Sequence, residues 1–368
     1  MKKKILISIW SDPSMYINLL FLINFFIKKK FEIILVCKKI EKKKDFYFFV
    51  KKYKYLKIIR VIEDGKKGYF NFYKKKKKIY EKFKPDILIS MNFISLFITS
   101  LIPKKNNKWI YYNFDFNFSS KLIMKNFIEK IIIKKVDYIF LPSESRAKLY
   151  ISKFKKKTNV FSIKNCFSKY FKVKYTNKIK KYNFLKKKKY LVRLGSLYKH
   201  HFLEDLILST KYWKSDHILV IAGKSYEEYY NYLKNFIKEN KIKKVLLIKN
   251  VSYKLWFFLL KNAVAGFALY EQINISHQLM GGTSQKLNNY IYGGIPSILT
   301  KSKDTINFNN KFQTSVLTNG SASDIAKRTN FLLNNKKFYK KIKKNNHYAF
   351  LNEFNFENQI KKVMPYIN

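Results

Sequence analysis

Glycine, proline, arginine, cysteine and acidic residues are all scarce in this 368-residue chain. Its two cysteines, Cys37 and Cys166, cannot build a disulfide framework and show no metal-like spacing, which fits a reduced compartment. None of the ten glycines forms a G-x-G-x-x-G after a strand, which disfavours the usual dinucleotide fold. Gly223-Lys224-Ser225 looks like the tail of a P-loop, but the upstream glycine that motif needs is Ile218. There is no G-x-S-x-G elbow, and the five histidines show no metal-ligand spacing. Long apolar runs are missing too. The run after Met1–Lys4 is about six residues with no small-residue cleavage site, so it reads as a first strand and not a secretory leader. Tyr16–Ile27 is broken by Asn18 and Asn24 and is too short to span a bilayer; it reads as a buried helix. No repeat of 20–50 residues is visible.

What is present is lysine and hydrophobic mass. Lysine and arginine total 77 against 23 acidic residues, a net charge of +54, yet only four are arginine: Arg60, Arg146, Arg193 and Arg328. Surfaces that read bases or clamp phosphates favour the arginine fork, so a nucleic-acid-binding function is disfavoured. The wealth of Lys, Ile, Asn, Phe and Tyr points to codon bias from an AT-rich genome. A basic face for anionic lipid, near Lys28–Lys30 and Lys74–Lys78, is compatible with that origin. Hydrophobic residues make up 47% and aromatics 18%, enough for two buried cores and too much for disorder. The aromatics fall mostly in the apolar runs, which argues against stacking platforms for bases.

Those runs alternate with helical stretches. KILISIW (4–10), EIILVCK (32–38), KIIRVIE (57–63), DILISMN (86–92), WIYYNF (109–114) and VDYIFLP (136–142) form one series. A lysine-rich stretch without apolar period (172–189) reads as a linker. A second series follows: YLVRLG (190–195), HILVIAG (217–223), VLLIKN (245–250), AVAGFALY (263–270) and IPSILT (295–300). Ser252 is placed to cap a helix running to about Lys261, and residues 322–368 read as helical. Continuous apolar strands separated by helices predict parallel sheets covered on both faces, here as two doubly wound α/β domains with ligands at the carboxyl ends of their strands.

Four of the ten glycines lie within 281–294, in GGTSQKLNNYIYGGIPSI (281–298). This reads as a Gly-rich loop, an N-cap at Thr283 or Ser284, a helix of about nine residues ended by Gly293-Gly294, and Pro296 opening the next strand. Such a helix start binds anions, and Lys286 in its first turn adds charge. An ordinary capped helix with a solvated lysine is the alternative.

The segment SQKLNNYIYGGIPSI resembles the donor-site motif of retaining glycosyltransferases of the GT-B fold, glycosyl transferases group 1. Ser284, Lys286, Leu287, Tyr290, Gly294 and Pro296 match; the family glutamate that grips the donor ribose falls at Asn289, and its earlier partner at Gly281. YLVRLGSLYKHHFLEDLI (190–207) is similar to the first strand and loop of the donor domain, where Gly195 and a basic residue (Lys199, His200 or His201) face the diphosphate. ILVIAGK, ending at Lys224, resembles the next strand, and the segment ending at Tyr270 the approach to the base-binding loop. NEFNFENQI (352–360) resembles a terminal helix that crosses back to the first domain.

The resemblance implies two Rossmann-like domains facing across a cleft. The acceptor domain is 1–170, with helix 350–368 packing back on it, and the donor domain is 171–349. It implies a metal-independent hexosyltransferase that needs no cofactor and takes a nucleotide sugar as co-substrate. The sugar goes to a glycan or lipid-linked acceptor, in bacterial surface polysaccharide or lipopolysaccharide synthesis. The location is cytoplasmic, at most peripheral on the inner membrane face, without nucleic acid as a partner. Lys199 and Lys286 are expected to act on the leaving diphosphate, and Asp115 on the acceptor hydroxyl. Asp12, Gly195, His201, Lys224, Tyr270, Gly282, Thr283, Ser284 and Asn289 are expected to bind substrate. Asp12, just before Pro13, also reads as a plain turn residue. A nucleotide-sugar epimerase or hydrolase of the same fold is the nearest rival.

Overall fold

The computed structural model describes residues 2–40, 43–114, 123–155, 159–172 and 179–367. Contacts divide the chain into two units, Met1–Lys164 with Phe356–Asn368, and Asn165–Asn355.

The first unit has strands β1 (Lys4–Ile9), β2 (Glu32–Lys38), β3 (Leu56–Val61), β4 (Ile87–Met91), β5 (Lys108–Tyr112), β6 (Tyr138–Leu141) and β7 (Val160–Ser162). Between them run α1 (Ile17–Lys28), α2 (Lys43–Phe49), α3 (Gly65–Phe83), α4 (Asn92–Ser100), α5 (Ile123–Ile132) and α6 (Glu144–Phe154). All strand pairs are parallel, in the order β3-β2-β1-β4-β5-β6-β7. The continuous apolar sequence of β1, β2 and β4 follows from burial on both faces.

Helix α1 is a core element. Eight of its residues are buried, and its polar interruptions are satisfied: Asn18 donates to the Tyr112 hydroxyl and the Lys164 carbonyl, each at 3.0 Å, and Asn24 bonds the Phe49 carbonyl. No helix among the described residues is long and apolar enough to cross a membrane.

The stretch Lys74–Lys78 departs from the expected basic face at one position. Lys74, Lys75 and Lys78 are exposed, but Lys76 is fully buried. Its amine donates to Ser8 Oγ at 2.7 Å and bonds Thr99 Oγ1. Ser95, Ser90 and Trp109 extend this polar network across β1, β4, β5 and α4. Burial alone pulls the Lys76 amine well below the usual lysine range.

The second unit has strands β8 (Tyr190–Leu194), β9 (Ile218–Gly223), β10 (Val245–Lys249), β11 (Ala265–Ala268), β12 (Ser297–Thr300) and β13 (Ser315–Thr318). Its helices are α7 (Leu203–Ser209), α8 (Glu227–Glu239), α9 (Tyr253–Asn262), α10 (Ile275–Gln278), α11 (Gln285–Gly293), α12 (Lys303–Phe312), α13 (Ala322–Asn334) and α14 (Lys336–Asn352). The sheet is again all parallel, ordered β10-β9-β8-β11-β12-β13. Ser252 caps α9 by accepting from the Leu255 N–H.

The boundaries differ from 170/171 and 349/350 for local reasons. Asn165 belongs to the second unit, where its carbonyl accepts from Asn288. Helix α14 stays there whole, because Asn346 donates to the Ile295 and Thr314 carbonyls. Only α15 (Phe356–Lys361) and α16 (Met364–Ile367) join the first unit: Gln359 accepts from the Lys164 N–H, and Phe356 packs on Phe21. Within the expected linker, Lys180–Lys187 forms a 3-10 helix that sinks Leu185 fully into the second core. The short strands β7 and β13 were not anticipated.

Candidate functional site

In the second sheet the order reverses between β8 and β11, which are neighbours although β9 and β10 intervene in sequence. Loops leaving the carboxyl ends of these strands flank the switch point, where open parallel sheets bind ligands. One is 195–202 after β8; the other runs from Leu269 through α10 to the start of α11.

Helix α11 starts and ends as its sequence demands. Ser284 is the N-cap, its hydroxyl accepting from the Leu287 N–H, and Gly294 closes the helix in the left-handed region at φ +63°. Tyr290 pins the helix to the sheet: its hydroxyl accepts from the Leu194 N–H and donates to the Phe267 carbonyl, both at 3.1 Å. Gly266 permits this approach, since a Cβ there would lie 2.5 Å from the Tyr290 ring. The N–H groups of Gln285 and Lys286 have no partner among the described residues and stand at the positive end of the helix.

Cationic and neutral donors collect at this helix start. Lys286 donates to the Tyr270 hydroxyl at 3.1 Å, with its ammonium 4.2 Å from that ring's centroid. Tyr270 in turn shares a 2.6 Å hydrogen bond with Ser284. The aliphatic stem of Lys286 lies over Gly195, where φ is +121° and a Cβ would come within 3.3 Å of Cε. Arg193, fully buried in β8, donates to the Gly195 carbonyl at 2.8 Å and to Nδ1 of His201 at 2.7 Å. Arginine has no acceptor, so this bond fixes the tautomer: His201 accepts at Nδ1 and carries its proton on Nε2. Burial first, then the charges of Lys286 and Arg193, pushes the His201 imidazole far below the usual histidine range, so it is a neutral donor. Burial, and after it Arg193, likewise pulls Lys286 well down. Neither Arg193 nor Lys286 has a carboxylate partner among the described residues. Glu271 is engaged elsewhere, with His200 at 3.0 Å.

The structure thus brings together Gly195, His201, Tyr270, Ser284 and Lys286. Gly282 makes the loop turn at φ +76°. Thr283 is buried beside them with its hydroxyl unpartnered, and Asn289 is buried. Lys199 and Lys224 are exposed and touch no other member by their side chains; the Lys224 carbonyl merely accepts from the Leu197 N–H. Sequence reasoning missed Arg193 and also His277, whose ring stacks 6.0 Å from His201 while Nδ1 bonds the Glu271 carbonyl. Arg193 did carry a signal, as one of four arginines to survive the codon bias.

In the first unit the switch point lies between β1 and β4. Asp12 stands there as the N-cap of a 3-10 turn, accepting from the Ser14 N–H at 2.8 Å. Asp115 lies outside the described residues. A carboxylate not anticipated from sequence is Glu129 of α5, buried and accepting from Tyr111, Tyr150 and Asn113. Burial is the largest influence on it and holds its pKa above the usual glutamate value.

No protein-family model matches the chain, and no curated relative does. Solved structures do. HepE of Anabaena, in complex with UDP and glucose, superposes with a TM-score of 0.77 at 11% identity, covering 99% of both chains. A putative UDP-N-acetylglucosamine 2-epimerase from Listeria monocytogenes gives 0.72 at 12% identity, over 100% of this chain and 96% of that one. WaaG, a glycosyltransferase involved in lipopolysaccharide biosynthesis, gives 0.67 at 9% identity over 98% of each. With two doubly wound parallel-sheet units in tandem and these neighbours along its whole length, the chain has the GT-B fold that the 284–296 motif implied.

Proposed function

We propose that the protein is a glycosyltransferase that takes a hexose from a nucleotide sugar held by the second unit and passes it to a glycan or lipid-linked acceptor held by the first. One observation carries this reading. At the switch point of the second sheet, two cations without carboxylate partners, Arg193 and Lys286, meet a neutral histidine donor and an open helix N-terminus. That is a site for a strongly anionic group. A diphosphate leaving group gains charge as its sugar departs, and donors fixed in advance stabilise that charge without reorganisation. Lys286, the Nε2–H of His201 and the N–H groups of Gln285 and Lys286 fill that role, so the reaction needs no metal of its own. Thr283, buried with its hydroxyl unused, and the buried Asn289 serve the donor's hydroxyls. On the acceptor side Asp12 and Asp115 are the proposed groups.

The WaaG neighbour supports a role in bacterial surface polysaccharide or lipopolysaccharide synthesis, and the basic first unit supports peripheral work on the cytoplasmic membrane face. The epimerase neighbour favours a second reading, action on the nucleotide sugar alone. Product analysis without acceptor separates the two: an epimerase changes the donor's sugar, a transferase does not.

The donor is identified by thermal shift with UDP-, GDP-, ADP- and CMP-linked sugars, UDP first because HepE holds it. One of them should raise the melting temperature; at a hundred times its Kd the native state gains about 2.7 kcal/mol. Four flat responses would contradict the proposal.

A further inference from the structure

Two histidines beside Lys286 carry opposite tautomers. Arg193 donates to Nδ1 of His201, so that ring keeps its proton on Nε2. His277 is the reverse. Its Nδ1 lies 2.7 Å from the Glu271 carbonyl, which can only accept, so the proton is on Nδ1 and Nε2 carries a lone pair. Burial first, with the charge of Lys286 acting in the same direction, holds the His277 pKa below the usual histidine value, so the ring is neutral near pH 7. The two rings are 6.0 Å apart and within 25° of parallel, and both meet the Tyr270 ring edge to face. Their loops are tied to each other: the Glu271 N–H donates to the His200 carbonyl at 3.2 Å, and the Glu271 carboxylate meets His200 Nδ1 at 3.0 Å. Asn274, the N-cap of α10, accepts from the His277 N–H at 2.9 Å.

A lone pair is out of keeping with a site for phosphate alone. Arg193, Lys286 and His201 all offer protons, as the start of α11 does, and phosphate oxygens near neutral pH take them. Against Nε2 of His277 a phosphate oxygen would stand lone pair to lone pair; a hydroxyl supplies the proton that Nε2 accepts. This flank is also open. His201 and His277 are half-buried, and Tyr198 and Tyr226, 49% and 70% exposed, continue the row of rings out to solvent. A sugar that is handed to an acceptor must lie on such a flank, whereas the nucleoside stays behind. We infer that His277 is a specificity-determining residue: its Nε2 accepts a hydrogen bond from a hydroxyl of the transferred sugar, while the cations beside it hold the diphosphate. The inference rests on the donor reading above and names the residue that reads the sugar itself.

The test is calorimetric titration of the full chain with UDP, GDP and ADP and with UDP-, GDP- and ADP-glucose, taking the pair that the wild type binds. His277→Phe keeps a ring against Tyr270 but loses Nε2. It should weaken the glucose ester about ten-fold and leave the nucleoside diphosphate as it was, which also shows that the variant folds. His277→Gln, whose amide oxygen can accept, should recover most of the loss. Among the monodeoxyglucose esters, one should bind the wild type about ten-fold more weakly and bind His277→Phe no differently, which locates the hydroxyl. If no nucleoside diphosphate or glucose ester binds the wild type, the donor reading falls and this inference with it. An equal loss for diphosphate and ester, as for a phosphate or ribose contact, overturns this inference alone. So does equal binding of the ester by the two proteins, or a loss on His277→Phe that persists with every deoxy ester.

Discussion

Lys286→Ala is expected to slow sugar transfer about 10²–10³-fold, the usual cost of removing one preorganised donor from developing charge. The melting temperature of the unliganded protein should stay level or rise. Both parts follow from the same geometry. Lys286 has no carboxylate partner among the described residues, and burial first, then the charge of Arg193, pulls its pKa down. In the free protein it is an electrostatic burden. With a diphosphate bound, and more so as the sugar departs, it faces the charge it lacks. Its loss should therefore appear in kcat more than in KM, since the interaction strengthens toward the transition state. A merely structural lysine predicts the reverse: lower stability, with activity following the folded fraction.

Lys76→Met should stabilise the protein near neutral pH, and the advantage should shrink as pH rises. An unfolded lysine titrates near about 10.4, whereas the buried amine of Lys76 titrates well below that. Between the two values the unfolded chain binds more protons, so wild-type stability rises with pH, by about 1.4 kcal/mol per unit from this group. Methionine removes that slope. It orphans little, because Ser8 still donates to the Ile89 carbonyl and Thr99 to the Ser95 carbonyl. Urea unfolding of both proteins at several pH values between 7 and 10 checks this. Parallel curves would mean that Lys76 keeps its proton in the core.

The strands and the caps could be read from sequence because each is a local signal. EIILVCK is β2 residue for residue, and α11 runs from Ser284, one of the two expected caps, into the expected Gly293-Gly294 stop. The lost features depend on tertiary partners. Nothing local separates Lys76 from the four lysines beside it; only the packing of α3 on Ser8 and Thr99 does. Glu129 looks like any helical glutamate until Tyr111 and Tyr150 close over it from other elements. Gly195, Tyr270, Ser284 and Lys286, named through the motif and its neighbours, lie together in the structure. Arg193 was missed because strand position hides which way a side chain points. Lys199 and Lys224 were named through the resemblance of their segments to the donor domain, and their side chains are exposed.

The central claim is that the α11 start binds a nucleoside diphosphate through Lys286. The direct measurement is calorimetric titration of the nucleotide found by thermal shift, in two buffers of different ionisation enthalpy. A bound diphosphate raises the depressed pKa of Lys286, so at pH values between its free and bound pKa binding takes up a proton and weakens as pH rises, whereas below both Lys286 is charged throughout and there is no uptake. The expected result between those two values is proton uptake by the wild type, with Lys286→Met showing weaker binding and no uptake. Equal affinity and equal proton uptake in the two proteins would contradict it.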